Sequence, residues 1–233
     1  MQLILHPKQS EVFVSPATEI LFGGAAGPGK SHLLRAAAIA WCYDIPGLQT
    51  YLFRRTHPDL QRNHMEGPTS FPAMLSPFVQ SKRVRINNSD NVIRFRNGSA
   101  IHLCHCQHEK DVYNYQGAEM HVFMPDEMTH FTAKQYRFLR SRVRMTGITL
   151  PPRWVGKFPR ILGASNPGGL GHTWVKQSFI DLGPGLHRMS DEEGGMLRQF
   201  IPARLADNPS MNEQNPRYAA QLAGMGNPEM VKA

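Results

Sequence analysis

Eight consecutive residues, from Gly24 to Ser31, have the types and spacing needed to hold a chain of phosphates. A glycine and four further residues precede Gly-Lys-Ser, which is the pattern of a phosphate-binding loop. In such a loop, backbone N–H groups point at phosphate oxygens, and glycines let the backbone come close because they lack a Cβ. The lysine reaches the β- and γ-phosphates and the serine hydroxyl ligates Mg²⁺. The residues predicted to bind nucleotide here are Gly24, Ala25, Ala26, Gly27, Pro28, Gly29, Lys30, Ser31 and His32.

A second group of chemically active residues is the acidic pair Asp126-Glu127, which follows a short apolar segment, 121–124. An acid at the end of a core strand holds Mg²⁺ through water, and this is the role predicted for Asp126. A hydrolase also needs a base that orients and deprotonates the attacking water, which is the role predicted for Glu127. The pair favours an ATP-hydrolysing protein over a GTPase or a small-molecule kinase. The alternative is an ordinary acidic turn after a strand.

Two amide side chains are weaker candidates. Asn166 follows the apolar segment 160–164, where it would sense the γ-phosphate or the attacking water; a simple Asn-Pro turn is the alternative. Gln9 could recognise the edge of an adenine, because an amide both donates and accepts hydrogen bonds. A lone Gln near the start of a chain is more often a surface residue.

The elements that must position these residues alternate between strands and helices. The apolar run 19–22 predicts a strand that enters the loop, and 32–41, rich in Leu and Ala, predicts a helix that leaves it. Further strands are predicted at 49–53, 121–124, 160–164 and 199–201, with helices between them at 132–143 and from about 173. This alternation favours a mostly parallel sheet.

Two regions depart from that pattern. Residues 83–106 alternate apolar and polar side chains and contain Asn97-Gly98, a strong hairpin turn, so they predict an antiparallel extension. His102, Cys104 and Cys106 within it lack the spacing of a zinc site, and packing is the better interpretation. Residues 183–195 predict a surface loop, and 216–222 predict a late helix.

Composition limits the class of protein. A chain of 233 residues, of which 41% are hydrophobic, suits one α/β domain or one domain with a small appendage. No apolar run is long enough to span a bilayer, no signal peptide opens the chain, and three cysteines suggest a reducing cytoplasm. The net charge of +8 and several arginine clusters suggest a polyanionic partner such as nucleic acid.

Together these motifs resemble the N-terminal ATPase domain of the large terminase subunit of tailed bacteriophages, the motor that packages DNA into procapsids. The resemblance covers nearly the whole chain, and the order of the motifs carries it. They are His6-Pro7-Lys8-Gln9, Gly24 to Ser31 (Walker A), Leu52-Phe53-Arg54-Arg55-Thr56, Tyr115-Gln116-Gly117-Ala118-Glu119, Phe123-Met124-Pro125-Asp126-Glu127 (Walker B), Ala164-Ser165-Asn166-Pro167-Gly168 and Ala206-Asp207-Asn208-Pro209.

The resemblance implies a P-loop NTPase fold of the ASCE or RecA-like type. Its mostly parallel central sheet would be flanked by helices and carry an antiparallel extension and a small C-terminal lid. It implies ATP and Mg²⁺ as ligands. It also implies a translocase of double-stranded DNA that works as a pentameric ring on the portal. The small terminase subunit would be a further partner, no membrane is involved, and the location would be the host cytoplasm rather than the mature virion.

The resemblance also implies roles for individual residues. Gln9 would contact adenine, Lys30 and Ser31 would hold phosphate and Mg²⁺, and Asp126 would hold the metal through water. Glu127 would activate water, and Ser165-Asn166 would couple hydrolysis to movement. An arginine would complete the transition-state clamp, and Gln116 stands where some relatives carry one. The remaining candidates are Arg54, which is also predicted to bind nucleotide, Arg55, Arg140, Arg142 and Arg144.

Two expectations concern organisation. Residues 1–205 are predicted to form the ATPase core, and 206–233 a lid or linker that in full-length terminases leads to a C-terminal nuclease. Because the sequence ends at 233, no nuclease activity is expected from it. The alternatives are a related nucleic-acid translocase or helicase, or a nucleotide-gated module that binds DNA or capsid without turnover. A small-molecule kinase is a weaker third.

Overall fold

The computed structural model describes residues 5–215 and 217–224, and within them a nine-stranded sheet forms the centre of the molecule. The strands are β1 Glu19–Gly24, β2 Gln49–Arg54, β3 Val84–Asn87, β4 Val92–Phe95, β5 Ala100–His105, β6 Val122–Pro125, β7 Arg160–Ser165, β8 Leu186–Arg188 and β9 Leu197–Ala203. The α-helices are α1 Pro7–Val14, α2 Lys30–Asp44, α3 His57–Leu60, α4 Phe71–Gln80, α5 Ala133–Arg140, α6 His172–Val175, α7 Pro209–Gln214 and α8 Tyr218–Ala223. Two π-helical segments, Gln61–Met65 and Lys176–Ile180, continue α3 and α6.

The strand order is β3-β4-β5-β2-β6-β7-β1-β9-β8. The run from β5 to β9 is parallel throughout, whereas β3, β4 and β8 pair antiparallel. This confirms the predicted mostly parallel sheet with an antiparallel extension. Because parallel strands all end at the same edge, the loops that follow β1, β2, β6 and β7 meet there. Strand β7 lies between β1 and β6, as expected of the additional-strand (ASCE) class.

Both faces of the sheet are covered by apolar packing, which suits strands that read as continuous hydrophobic runs. Helix α2 packs on one face, where Leu33, Leu34 and Trp41 are fully buried. On the other face, Phe123, Phe131 and Tyr136 belong to a second cluster. Burying one such side chain contributes about 1.5–3 kcal/mol, so these two layers hold the strand ends in place.

A buried charge cluster closes the amino-terminal edge of the sheet, opposite the phosphate-binding loop. The carboxylate of Glu19, at the start of β1, accepts hydrogen bonds from Arg198 Nε at 2.7 Å and Tyr136 Oη at 2.6 Å. Arg140 Nη1 lies 3.4 Å from the same carboxylate. The cluster ties β1 to β9 and α5, so the side chain of Arg140 stabilises this edge of the sheet through its contact with Glu19.

The structure adjusts several predicted bounds. Thr132 caps α5 as predicted, but the helix ends at Arg140 instead of 143. The predicted surface loop 183–195 contains the three-residue strand β8, which exists through its pairing with β9. The late helix spans Tyr218–Ala223, while Pro216 lies outside the described residues.

Among the described residues, no helix is both long and apolar enough to cross a membrane.

Candidate functional site

The loop between β1 and α2 forms one wall of a cleft at the carboxyl edge of the sheet. Lys30 opens α2, and Gly29 before it has a φ of 80°, in the left-handed region that favours glycine. A Cβ at Gly29 would lie 2.6 Å from the side-chain amide of Gln9. The helix therefore begins with its backbone N–H groups and its positive dipole end at the loop, which is the arrangement that binds anions.

Lys30 is a buried cation of this wall. Its side chain is buried, and Nζ donates to the carbonyl of Ala25 at 2.5 Å and to Asn166 Oδ1 at 2.6 Å. Burial lowers the pKa of Lys30 to about 8, against the opposing influence of the Glu127 and Asp126 carboxylates. A buried ammonium ion that shares its donors with neutral oxygens is well placed to accept a phosphate as a stronger partner.

Asn166 bridges Lys30 to the predicted base. Its Oδ1 accepts from Lys30, while its Nδ2 donates to Glu127 Oε1 at 3.2 Å. Ser165, just before it, exchanges hydrogen bonds with Thr129, which lies two residues after Glu127. The ends of β6 and β7 are thus joined by a continuous polar network, in which the sequence had predicted roles for Glu127, Ser165 and Asn166 but not for Thr129.

Glu127 has an unusual backbone. Its φ and ψ are 53° and 59°, in the left-handed region, where a non-glycine residue costs on the order of 1–3 kcal/mol. This turn directs the carboxylate toward Asn166 and leaves the side chain partly accessible from the cleft. Strained residues of this kind are typical of functional sites.

Asp126 is buried and receives several donors on one oxygen. Oδ2 accepts from Arg54 Nε at 2.9 Å, His64 Nε2 at 2.9 Å and Ser31 Oγ at 3.4 Å. Burial alone would raise the pKa of Asp126, but the hydrogen bond from His64 and the charge of Arg54 hold that pKa well below its usual range. The carboxylate is therefore ionised at neutral pH.

His64 and Arg35 contribute to this site although no motif identified them. Arg35 Nη1 lies 3.4 Å from His64 Nδ1, and since an arginine only donates, Nδ1 accepts and the proton is on Nε2. Burial lowers the pKa of His64, so the ring is neutral. Arg35 follows Ser31 by one helical turn, and that spacing is the only sequence signal that pointed to either residue.

Gln9 lies at the loop as predicted for a nucleotide-site residue, but its amide contacts protein. Oε1 accepts from the backbone N–H of His6 at 3.0 Å, and Nε2 donates to the carbonyl of Gly29 at 3.1 Å. Recognition of adenine by Gln9 stays a prediction. In this structure the Gln9 side chain stabilises the loop through its hydrogen bonds.

Asn208, Ser210, Met211 and Tyr218, from the described residues after 205, form the opposite wall of the cleft. Asn208 Nδ2 donates to the carbonyl of Gly27 at 2.6 Å, and the ring of Tyr218 lies close to Gly27. The cleft has a volume of about 640 Å³, large enough for a nucleotide. It is lined by His6, Gln9, Ala26, Gly27, Gly29, Lys30, Ser31, His32, Arg35, Thr69, Glu127, Asn166, Asn208, Ser210, Met211 and Tyr218.

Gly24, Ala25 and Pro28 complete the predicted loop. Ala25 N donates to the carbonyl of Ala203, and its own carbonyl accepts from Lys30. The carbonyl of Pro28 lies 3.5 Å from Gln9 Nε2. Gly24, at the end of β1, lines a separate and more apolar cavity of about 520 Å³. The structure thus places all the predicted loop residues around one turn, although they do not all line the same cavity.

The arginine candidates separate by position. Arg54, at the end of β2, contacts Asp126 and lies 3.9 Å from Glu127 Oε1. Arg140 is at the other edge of the sheet, so within this chain it cannot reach the cleft. The other three are engaged on the surface: Arg55 with the carbonyl of His130, Arg142 with that of Gln116, and Arg144 with Glu119.

The oxygen ligands present suit Mg²⁺. Ser31 Oγ and Asp126 Oδ2 lie 3.4 Å apart, one a hydroxyl and one an ionised carboxylate. Magnesium binds few protein oxygens and completes its shell with water and substrate phosphates. The described residues contain no cluster of three or more His, Cys, Asp or Glu side chains that would hold a metal on their own.

No protein-family model matches the sequence, and no curated protein is significantly similar to it. Solved structures, by contrast, show the fold. The large terminase of a thermophilic bacteriophage, solved also with ATP-γ-S and with ADP, superposes with a TM-score of 0.64 at 18% identity. The match covers 93% of this chain and 50% of that protein, so this chain spans about half the length of that terminase.

Two smaller structures match over most of their own length. The large terminase ATPase domain of a Thermus phage gives a TM-score of 0.59 at 14% identity, over 94% of this chain and 87% of that one. The N-terminal domain of the DNA packaging ATPase from bacteriophage phi29 gives a TM-score of 0.53 at 12% identity. This match covers 87% of this chain and 96% of that one. The chain therefore has the fold of phage large-terminase ATPase domains, which confirms the predicted fold class.

Proposed function

We propose that this protein is the ATP-hydrolysing motor domain of a viral terminase large subunit, and that hydrolysis drives double-stranded DNA into a procapsid. One observation carries the proposal: Lys30, Asp126, Glu127 and Asn166 meet at one edge of a sheet that has the terminase fold. They come from three separate strand ends, and each has the chemistry that phosphate binding or water activation requires.

The hydrolytic step follows from these positions. The loop N–H groups and the start of α2 hold the phosphates. The Lys30 ammonium group gives up its hydrogen bonds to Ala25 and Asn166 and contacts the β- and γ-phosphates instead. Ser31 and Asp126 would hold Mg²⁺, which supplies charge neutralisation on the phosphate oxygens. Glu127 orients a water and accepts its proton, and Arg54, which lies beside the acidic pair, is our candidate for a same-subunit arginine that stabilises the developing charge.

Asn166 links the state of the nucleotide to the sheet. When Lys30 turns to a phosphate, Asn166 loses the charge-assisted bond on Oδ1, and Glu127 remains the partner of its side chain. The change reaches Ser165 and Thr129 through the network at the ends of β6 and β7. This is the route by which we expect hydrolysis to move the rest of the domain.

The partners follow from the same proposal. The motor would act as a homo-oligomeric ring, a pentamer, on the portal in the host cytoplasm, with the small terminase subunit as a further partner. A neighbouring subunit would supply any arginine that acts in trans. Absence of nuclease activity stays a prediction, and incubation of plasmid DNA with Mn²⁺ and pure protein tests it.

Phosphate release from ATP at micromolar protein tests the proposal most directly. Turnover that requires Mg²⁺ and rises with double-stranded DNA supports a DNA motor. Binding of nucleotide with no release at any protein concentration would identify a nucleotide-gated binding module instead. Strand displacement on a forked duplex would favour the helicase alternative.

The His64 hydrogen bond predicts a specific dependence on Mg²⁺. Removing a partner that orients a metal ligand typically costs 10–100-fold in metal affinity or activity. We therefore expect His64→Ala to raise the Mg²⁺ concentration for half-maximal ATPase about tenfold or more. His64→Gln, which keeps a donor, should recover part of the loss.

His121→Ala is the matched control, because His121 is also a buried histidine with two hydrogen bonds but lies at the other end of β6. It should leave the Mg²⁺ dependence unchanged even if it lowers stability. Equal Mg²⁺ dependence in both alanine variants would show that His64 only stabilises the fold.

A further inference from the structure

The hairpin formed by β3 and β4 carries four exposed arginines, Arg83, Arg85, Arg94 and Arg96, which we call the arginine hairpin. Arg85 lies directly opposite Arg94 across the two strands, and the backbone N–H of Arg96 donates to the carbonyl of Arg83. The four side chains thus form two cross-strand pairs of like charge. Like charges directly opposite each other destabilise a sheet, so these two pairs should destabilise the pairing of β3 with β4.

Nothing in the described part of the chain compensates this repulsion. None of the four guanidinium groups forms an ion pair or a side-chain hydrogen bond with residues 5–215 or 217–224. Some other exposed arginines are neutralised, as Arg62 is by Asp59 and Arg144 by Glu119. The arginine hairpin differs from these because its four unpaired arginines are neighbours on one pair of strands.

The surroundings of the hairpin add groups that suit a phosphate-rich ligand. Ile86 and Ile93 pack into the core, so strand alternation places Arg85 and Arg94 on the outer face. At the end of the hairpin, Arg83 and Arg96 line a shallow depression of about 560 Å³ beside Tyr43. Tyr43 is 45% exposed and offers a hydroxyl group there.

We propose that the arginine hairpin is a binding surface for the phosphate backbone of double-stranded DNA; the inference deepens the proposed function and rests on it. Guanidinium groups bind phosphate bidentately, and a regular polyanion neutralises all four at once. The surface is open, so it suits a long duplex better than a small anion, which needs an enclosing pocket.

The hairpin is separate from the nucleotide cleft. Three strand-to-strand steps of about 4.8 Å separate β4 from β6, which precedes Glu127, and five separate it from β1, which precedes the loop; these distances are roughly 14 Å and 24 Å. Substitutions in the hairpin should therefore leave basal ATPase unchanged. This separation lets one set of measurements distinguish failure of the inference from failure of the proposed function.

The test compares two variants of the full 233-residue chain that lose the same charge. One replaces Arg83, Arg85, Arg94 and Arg96 by Gln; the control replaces Lys110, Lys134, Arg137 and Arg188 by Gln, all exposed residues of other elements. Fluorescence anisotropy with a labelled 30-bp duplex gives affinity as a function of salt. Each phosphate contact contributes about 0.9 to the slope of log affinity against log salt.

We expect the hairpin variant to lower that slope by about 2–4 and to lose roughly tenfold or more in affinity, and the control variant to change little. Equal losses in the two variants, or an unchanged slope in the hairpin variant, overturn the inference. So does a wild-type chain that binds poly-L-glutamate as tightly as DNA, because the partner would then be an acidic protein. Active ATPase with any of these results leaves the proposed function standing.

Stability is checked with the double variant Arg85→Gln/Arg94→Gln. Removing two opposed like charges should keep or raise the unfolding midpoint, so a loss of DNA affinity in this variant cannot be attributed to unfolding. If the double variant is stable and still binds DNA like wild type with the same salt slope, these two arginines do not contact DNA and the proposed surface is wrong.

Discussion

Glu127→Gln should abolish ATP turnover while leaving ATP binding intact. A positioned general base contributes about 10²–10⁴-fold to a rate, and glutamine cannot accept the proton of the attacking water. Its side-chain oxygen can still accept from Asn166 Nδ2, which in wild type lies 3.2 Å from Glu127 Oε1, so the local structure should persist. Phosphate release measures turnover, and titration with a fluorescent ATP analogue measures Kd.

The control for this variant is Glu109→Gln, which neutralises an exposed carboxylate that is paired with Lys134 far from the cleft. It should retain wild-type turnover. A Glu127→Gln protein that hydrolyses ATP within about fivefold of wild type would show that another group is the base, because the lower limit of the expected loss is about a hundredfold. Both proteins should be assayed at the same high concentration, since an arginine supplied in trans can contribute about 10³–10⁵-fold.

Lys30→Ala should weaken nucleotide binding itself. Truncating one partner of a buried charge-assisted pair costs about 2 kcal/mol or more, which corresponds to roughly thirtyfold or more in Kd. Without nucleotide, burial already disfavours the ammonium ion and lowers the pKa of Lys30 to about 8. The variant should therefore keep an unfolding midpoint close to that of wild type, so weak binding cannot be attributed to unfolding.

Lys134→Ala removes an exposed lysine on α5 and provides the comparison. Its Kd for ATP should equal that of wild type. If the Kd of Lys30→Ala is also unchanged, the ammonium group does not contact phosphate and the assignment of the loop fails. In that case the Mg²⁺ dependence of the His64 variants still tests independently whether Asp126 holds the metal.

Local patterns were sufficient for the parts of the site that are continuous in the chain. The segment from Gly24 to Ser31 must follow a strand and precede a helix to work, and the apolar runs on both sides predicted that context. The antiparallel extension was predictable for a similar reason, since alternation and the Asn97-Gly98 turn act over a few residues. The short strand β8 was not predictable, because three residues form a strand only through partners 9–13 positions away.

Groups that meet across long separations gave no such signal. His64 contacts Asp126 although 62 residues separate them, and it does so from a π-helical segment that no hydrophobic period indicates. Gln9 was predicted to contact adenine from the chemistry of its amide and from the resemblance, but in the structure its Nε2 donates to the carbonyls of the loop. Among the arginines, sequence spacing could not separate Arg54 from Arg140, which lie at opposite edges of the sheet.

The amino-acid order by itself determined that this chain has a phosphate-binding loop and an acidic pair after a strand, because each depends on neighbours in one short segment. It also predicted a mostly parallel sheet, because strands and helices alternate along the chain. Only the tertiary structure decided which side chains share the cleft: the relation of Lys30 to Asn166, of His64 to Asp126 and of Arg85 to Arg94. These contacts arise from strand order and register, which are set by burying both faces of the sheet at once.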